Sequence, residues 1–179
     1  TEDLRFSPSY EFETGFDHAL EWANENGFQG MVELCHGCGG CRGPQSTTGG
    51  VMCPTYRAAE EEIQSTRGRA NLLRSAMNGS LDEDELLGSE FGAEVMDLCV
   101  GCKGCEVDCP SGVDMAKMKA EVEHASHERY GASLRDRIFA NIDSLSRLGS
   151  MFAPLSNLGT KLPGVRTLME SQLGIESDR

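Results

Sequence analysis

Apolar positions recur every three or four residues over most of this chain, and no run alternates regularly enough to make a strand. The pattern is that of an all-α protein. Residues 1–13 lack periodicity and hold Phe6, Pro8, Tyr10 and Phe12, so they read as an extended strap over the surface. Thr14 with Asp17 has the form of a helix N-cap and its third helical position, with Phe16, Ala19, Leu20 and Ala23 on one apolar face. Asn26-Gly27 stops that helix, and Phe28, Met31, Val32 and Leu34 predict a short second one running into Cys35. Residues 42–52, rich in Gly, Ser and Thr, are a loop. Pro54 starts a Glu-rich helical stretch over 55–64. Another follows over 66–77, with Ala70, Leu73 and Met77 inward and Asn78-Gly79 as its stop.

Ser80 with Glu83 is a capping-box pattern, and Leu87, Phe91, Val95 and Leu98 then recur at helical spacing up to Cys99. Past Pro110, Asp114 caps a helix whose face is Met115, Met118, Val122 and Ala125 and whose end is Gly131. Ser133 caps the next, with Leu134, Ile138, Ile142, Leu145 and Leu148 inward. Pro154 and Pro163 punctuate two shorter pieces, the last marked by Val165, Leu168, Met169 and Leu173. Such stripes ordinarily close a domain's own core. For the tail, docking on another domain or subunit is the alternative. The chain thus divides into an N-terminal strap with helices (1–34), a central core (35–131) and a C-terminal helical extension (132–179).

Charge narrows the partners. Asp and Glu number 29 against 16 Lys and Arg, a formal net charge of -13. A surface so acidic excludes nucleic acid, whose phosphates need a basic face, and disfavours anionic lipid. Lysine is confined to Lys103, Lys117, Lys119 and Lys161. Together with the acidity, this resembles halophilic adaptation, in which salt screens the self-repulsion. No apolar run approaches the length of a transmembrane segment, and no secretory signal is present, so a cytoplasmic protein is expected, peripheral at a membrane only through partners.

The chemistry lies in eight cysteines. Cys99-Val-Gly-Cys102-Lys-Gly-Cys105-Glu-Val-Asp-Cys109-Pro110 is the run that holds iron–sulfur clusters in bacterial-type ferredoxins. Cys35-His-Gly-Cys38-Gly-Gly-Cys41, completed by Cys53-Pro54, is the same pattern with its last gap stretched. Three closely spaced thiolates grip three corners of a cubane, and the chain then turns too tightly to supply the fourth. In two-cluster proteins the Cys before Pro reaches the other cluster. The expected sites are therefore crossed: Cys35, Cys38 and Cys41 with Cys109, and Cys99, Cys102 and Cys105 with Cys53. Cluster binding and folding should then be one event. Zinc sites present paired C-x-x-C knuckles instead of triplets, and a disulfide framework suits neither the spacing nor the absent signal.

Around the cysteines, Gly37, Gly39, Gly40, Gly101 and Gly104 let backbone N–H groups approach sulfur. Arg42 and Lys103 sit where a cation favours an added electron, unless they face solvent. His36 is expected to be a bystander or a donor to the ligands, and His18, His124 and His127 carry no motif. Thr66-Arg67-Gly68-Arg69 at a helix start suits an anion or a brace for the cluster loops, with surface charge as the plain alternative. No nucleotide-binding glycine loop and no nucleophile–base set is present, so no catalytic residue is assigned. The chain reads as a wire.

Two segments carry a resemblance. One is Gly49-Gly50-Val51-Met52-Cys53-Pro54-Thr55-Tyr56-Arg57-Ala58 with Ser65-Thr66-Arg67-Gly68-Arg69-Ala70-Asn71-Leu72-Leu73-Arg74. The other is Asp97-Leu98-Cys99-Val100-Gly101-Cys102-Lys103-Gly104-Cys105 with Cys109-Pro110-Ser111-Gly112-Val113-Asp114-Met115-Ala116. They resemble the iron–sulfur region of FAD-linked dehydrogenases of the D-lactate dehydrogenase, glycolate oxidase and D-2-hydroxyglutarate dehydrogenase class. Leu4-Arg5-Phe6 and Leu134-Arg135-Asp136-Arg137 extend the likeness over nearly the whole chain. It implies an alpha-helical ferredoxin-like fold, two 4Fe-4S clusters, and electrons carried from flavin during oxidation of a D-2-hydroxy acid. It also implies a partner FAD-binding domain, whose FAD this chain does not bind, and a downstream acceptor such as a cysteine-rich domain or a quinone. With Thr1 in place of an initiator Met, the chain reads as a domain excised from a larger enzyme, not catalytic alone. The alternatives are a stand-alone carrier subunit like those of succinate dehydrogenase or heterodisulfide reductase complexes, and a zinc-stapled docking module.

Overall fold

The structure, a computed structural model, describes residues 13–44, 46, 50–159 and 161–176. Residues 1–12 of the strap expected over 1–13 lie outside the described residues, as do positions 45 and 47–49 of the 42–52 loop. The chain forms two compact units, residues 1–130 and 131–179. Among the described residues the regular structure is all helical.

The first unit holds α1 (Gly27–Glu33), α2 (Pro54–Ala59), α3 (Thr66–Met77), α4 (Glu83–Gly88), α5 (Glu90–Asp97), α6 (Gly104–Asp108) and α7 (Met115–Tyr130), with 3-10 turns at Ala23–Glu25, Gly40–Arg42 and Glu62–Gln64. Its core joins Phe28 and Val32 of α1, Ala70 and Leu73 of α3, Leu86 and Leu87 of α4, Met96 of α5 and Met118 and Val122 of α7. Each large apolar side chain withdrawn this far from water contributes about 1.5–3 kcal/mol. Cys35, Cys41, Cys53 and Cys105 belong to the same cluster, so the sulfur sites are continuous with the core.

Helix α3 is the axis of this unit. Ser65 caps it, its hydroxyl accepting from Gly68 N at 2.9 Å, and Ala70, Leu73 and Met77 face inward as the periodicity requires. Gly68 has a specific reason: a Cβ there would collide with the Glu62 carbonyl. Helix α7 begins where Asp114 accepts from Lys117 N at 3.0 Å and is followed by Gly131, whose φ is +85°.

Several expected elements differ. Residues 14–22 are not helical. The buried Glu121 carboxylate of α7 accepts from the backbone N–H groups of Ala19 and Leu20 and from Trp22 Nε1, which takes those donors out of any helix. Thr14 pairs with His18 instead of capping. Ser80 is not the cap of α4; Asp82 is, accepting from Asp84 N at 2.8 Å. The single helix expected up to Leu98 is two, because Ser89 caps α5 through Gly92 N, and Phe91 is exposed. The 55–64 stretch breaks after Ala59, where Glu60 is left-handed.

The second unit holds α8 (Leu134–Ala140), α9 (Ile142–Met151), α10 (Ala153–Gly159) and α11 (Pro163–Leu173). Ser133 and Asp136 form the capping box of α8. Helix α8 packs on α9 and α11, and α9 on α10. The inward face expected here is not inward: none of the four helices has a buried residue, and Leu134, Ile142, Leu145 and Leu148 are all exposed. The stripe has the right period, but four short helices enclose too little volume to cover it.

Candidate metal centres

The two triplets are delivered by the same local device. Helices α1 and α5 end at Leu34 and Leu98, and the next residue in each case is the first cysteine. Cys35 N donates to Val32 O at 3.2 Å and Cys99 N to Met96 O at 2.9 Å, so both helices tighten as they release their cysteine. Two residues on, Gly37 and Gly101 have positive φ, and after the middle cysteine so do Gly39 and Lys103. Backbone N–H groups in such turns form concavities suited to an anion.

One hollow is lined by Cys35, Cys38, Cys41 and Cys109, with His36, Gly37, Gly39, Met52, Thr66, Arg67 and Val113. A second is lined by Cys53, Cys99, Cys102 and Cys105, with Pro54, Thr55, Thr66, Arg69, Val100, Lys103, Met115 and Ala116. We call them site I and site II. Each gathers one triplet and the cysteine that precedes proline after the other triplet. Thr66, at the start of α3, lines both, while Arg67 and Arg69 on either side of Gly68 go to different sites. Those two cysteines are also linked: Met52 N, just before Cys53, donates to Asp108 Oδ2, just before Cys109, at 2.9 Å.

Exposure repeats as well. The middle cysteines Cys38 and Cys102 are exposed, Cys35, Cys41, Cys53 and Cys105 are buried, and Cys99 and Cys109 lie between. Burial pushes the thiols of Cys35, Cys41 and Cys105 up, Cys41 to about 12, with the neighbouring Cys53 sulfur adding to the rise at Cys41. N–H groups of Gly37 at Cys35 and of Met115 at Cys105 act the other way. Such buried sulfurs become thiolates at neutral pH only with a metal bound, and they release protons as it binds.

The surrounding charges are not all where the sequence puts them. Arg42 turns to Glu62 at 2.7 Å, on the exposed side. Arg67 also pairs with Glu62, at 2.8 Å. Lys103 pairs with Asp114 at 2.8 Å and Glu106 at 3.2 Å. His36 Nδ1 lies 3.4 Å from Ser111 Oγ at the lip of site I. Arg69 is different: it is 1% exposed, against site II. Its Nε donates to Val95 O at 2.8 Å and its Nη1 to Gln64 O at 2.6 Å and toward Cys53 Sγ at 3.9 Å. Three supports escape a reading of the sequence: Asp108, Glu121, and Arg74, which donates to the carbonyls of Val32 and Cys35 at 3.1 and 2.8 Å. Only the spacing of Arg74 after the Thr66-Arg67-Gly68-Arg69 run hints at such a role.

Residues 31–113 match the family model described as a 4Fe-4S dicluster domain. This stretch is a two-cluster iron–sulfur domain. Two 4Fe-4S clusters are its cofactors, and the chain carries eight cysteines. The structure fits that load, with two four-cysteine voids floored by Met, Val and Ala side chains and a buried cation beside one of them. Among curated proteins, the chain is 27% identical to D-2-hydroxyglutarate dehydrogenase of Haemophilus influenzae, over 83% of this chain and 17% of that one. It is 26% identical to the enzyme of that name from Escherichia coli, over 89% and 19%. It is 31% identical to the probable glycolate oxidase iron-sulfur subunit of Bacillus subtilis, over 62% and 22%. The chain thus spans less than a quarter of the length of these relatives. No solved structure matches it. The domain is a partial-length relative of 2-hydroxy acid oxidoreductases, and no described helix is long and apolar enough to cross a membrane.

Proposed function

We propose that this chain is the electron relay of an FAD-linked D-2-hydroxy acid dehydrogenase, taking electrons from a flavin held elsewhere and passing them through two clusters on crossed ligands. Site I uses Cys35, Cys38, Cys41 and Cys109; site II uses Cys53, Cys99, Cys102 and Cys105. The observation that carries this reading is that the two voids each gather four cysteines in the crossed combination and share Thr66. Each cluster stores one electron, and the exposed Cys38 and Cys102 give each an edge within reach of a partner. The substrate and flavin sites belong to other sequence, an FAD-binding domain, and the acceptor is a cysteine-rich domain or a quinone. The exposed apolar faces of α8 to α11 suit packing on such a neighbour. A cytoplasmic setting with high salt accords with the net charge of -13.

One observation favours a second arrangement. The Bacillus subtilis relative is named a subunit, so the relay also suits a separate chain docked on its flavoprotein. The native reading frame upstream of Thr1 decides between the two. Iron and acid-labile sulfide on anaerobically purified protein test the relay itself. About eight of each per chain, with a visible band that dithionite bleaches, is expected. Folded, colourless protein with stoichiometric zinc would replace the relay with a docking module.

A further inference from the structure

The charges around the two sites are balanced differently. At site I two guanidiniums are each already answered: Arg67 by Glu62, which also takes Arg42, and Arg74, which donates to the Cys35 carbonyl, by Glu33 at 3.3 Å. Lys103 at site II is likewise answered, by Asp114 and Glu106. Arg69 is not. Its partners among the described residues are two backbone carbonyls, the Thr55 hydroxyl at 3.4 Å and the Cys53 sulfur, and no carboxylate. A guanidinium stays charged in any protein environment, and a buried charge needs a counter-charge. The anion that supplies it here is the thiolate-bound cluster of site II. Adding an electron makes that anion more negative, so a fixed, poorly screened cation beside it favours the reduced state. The first N–H groups of α7 act in the same sense, since Met115 N points at the Cys105 sulfur and the positive end of a helix of 16 residues faces site II.

We propose that Arg69 makes site II the more easily reduced of the two clusters, so that electrons run from site I to site II and leave at Cys102. This rests on the crossed ligand assignment, and its test separates the two. Wild-type protein carrying about eight iron per chain is titrated with dithionite under EPR, and the two midpoints are assigned with Cys102→Ser and Cys38→Ser, exposed ligands of different sites. The higher midpoint is expected to move with Cys102→Ser. Arg69→Gln is expected to lower that midpoint by at least about 59 mV, a tenfold loss in the one-electron reduction equilibrium, and to leave the other in place. Arg69→Lys, which keeps the charge, should restore most of the shift. A higher midpoint that moves with Cys38→Ser overturns the proposal, and this holds even if Arg69→Gln fails to fold. Equal midpoints for Arg69→Gln and wild type also overturn it. Iron well short of eight, or a Cys53→Ser variant that perturbs the signal assigned by Cys38→Ser, indicts the ligand assignment instead.

Discussion

Sites I and II are built from the same seven-residue turn, delivered by helices that end in the same way, yet their surroundings diverge. Site I is walled by glycines and by an arginine that a surface glutamate neutralises. Site II has a lysine where site I has Gly39, and it has the unanswered Arg69. Exposed apolar residues also flank it in the chain: Val100 is 66% exposed and Val107 82%. Repetition of the backbone fixes what is bound, and the side chains that break the repeat decide how each copy behaves. A relay needs that break, because two identical clusters in identical surroundings give electrons no preferred direction.

The sharpest way to probe this contrast is to remove the two ligands that precede proline. Cys53→Ser and Cys109→Ser should each lower iron from about eight to about four per chain. Only Cys53→Ser also strands Arg69 without its anion, so it should cost about 3–5 kcal/mol of unfolding free energy while Cys109→Ser costs distinctly less. Anaerobic denaturant unfolding with parallel iron analysis checks both. Equal losses would erase the asymmetry.

The matched left-handed positions give a smaller effect of opposite sign. Gly39→Ala forces a Cβ onto a φ of +77° and should destabilise by about 1–2 kcal/mol. Lys103→Gly relieves the same conformation at a φ of +57° but gives up the pairs to Asp114 and Glu106, so thermal unfolding should move little. A large loss from Lys103→Gly would mean that its charge matters more than its backbone. Smallest is Asp108→Ala, which cuts the tie to Met52 between the two crossing segments. A loss of about 1 kcal/mol, with iron content retained, is expected in the same melts.

The cysteine framework was legible in the sequence because its information is local: the spacing of Cys35, Cys38 and Cys41 states how far apart three sulfurs stand. The axis helix α3 was legible for the same reason, through Ala70, Leu73 and Met77 and the Asn78-Gly79 stop. What the sequence concealed depends on partners distant along the chain. Glu121 looks like a polar position on α7, yet it faces the core between Met118 and Val122 because the 19–22 segment brings it donors. The break at Ser89 was hidden by an apolar rhythm that runs straight through it, while the cap depends on one hydroxyl. Arg67 and Arg69 read alike as a pair. Their separation into a surface ion pair and a buried, unanswered charge follows from which side of α3 each occupies. The tail shows the converse, since an apolar stripe states a period and not what covers it.

Crossed ligation is the claim on which the rest stands, and iron counting on three combined variants tests it most directly. With Cys35, Cys38 and Cys41 all replaced by Ala, site II should persist at about four iron per chain. Adding Cys109→Ala should leave that iron in place, because its partners in site I are already gone. Adding Cys53→Ala instead should abolish it. The reverse result, with iron lost on removing Cys109 and kept on removing Cys53, would show that each triplet takes the cysteine that follows it, and the crossed relay would be wrong.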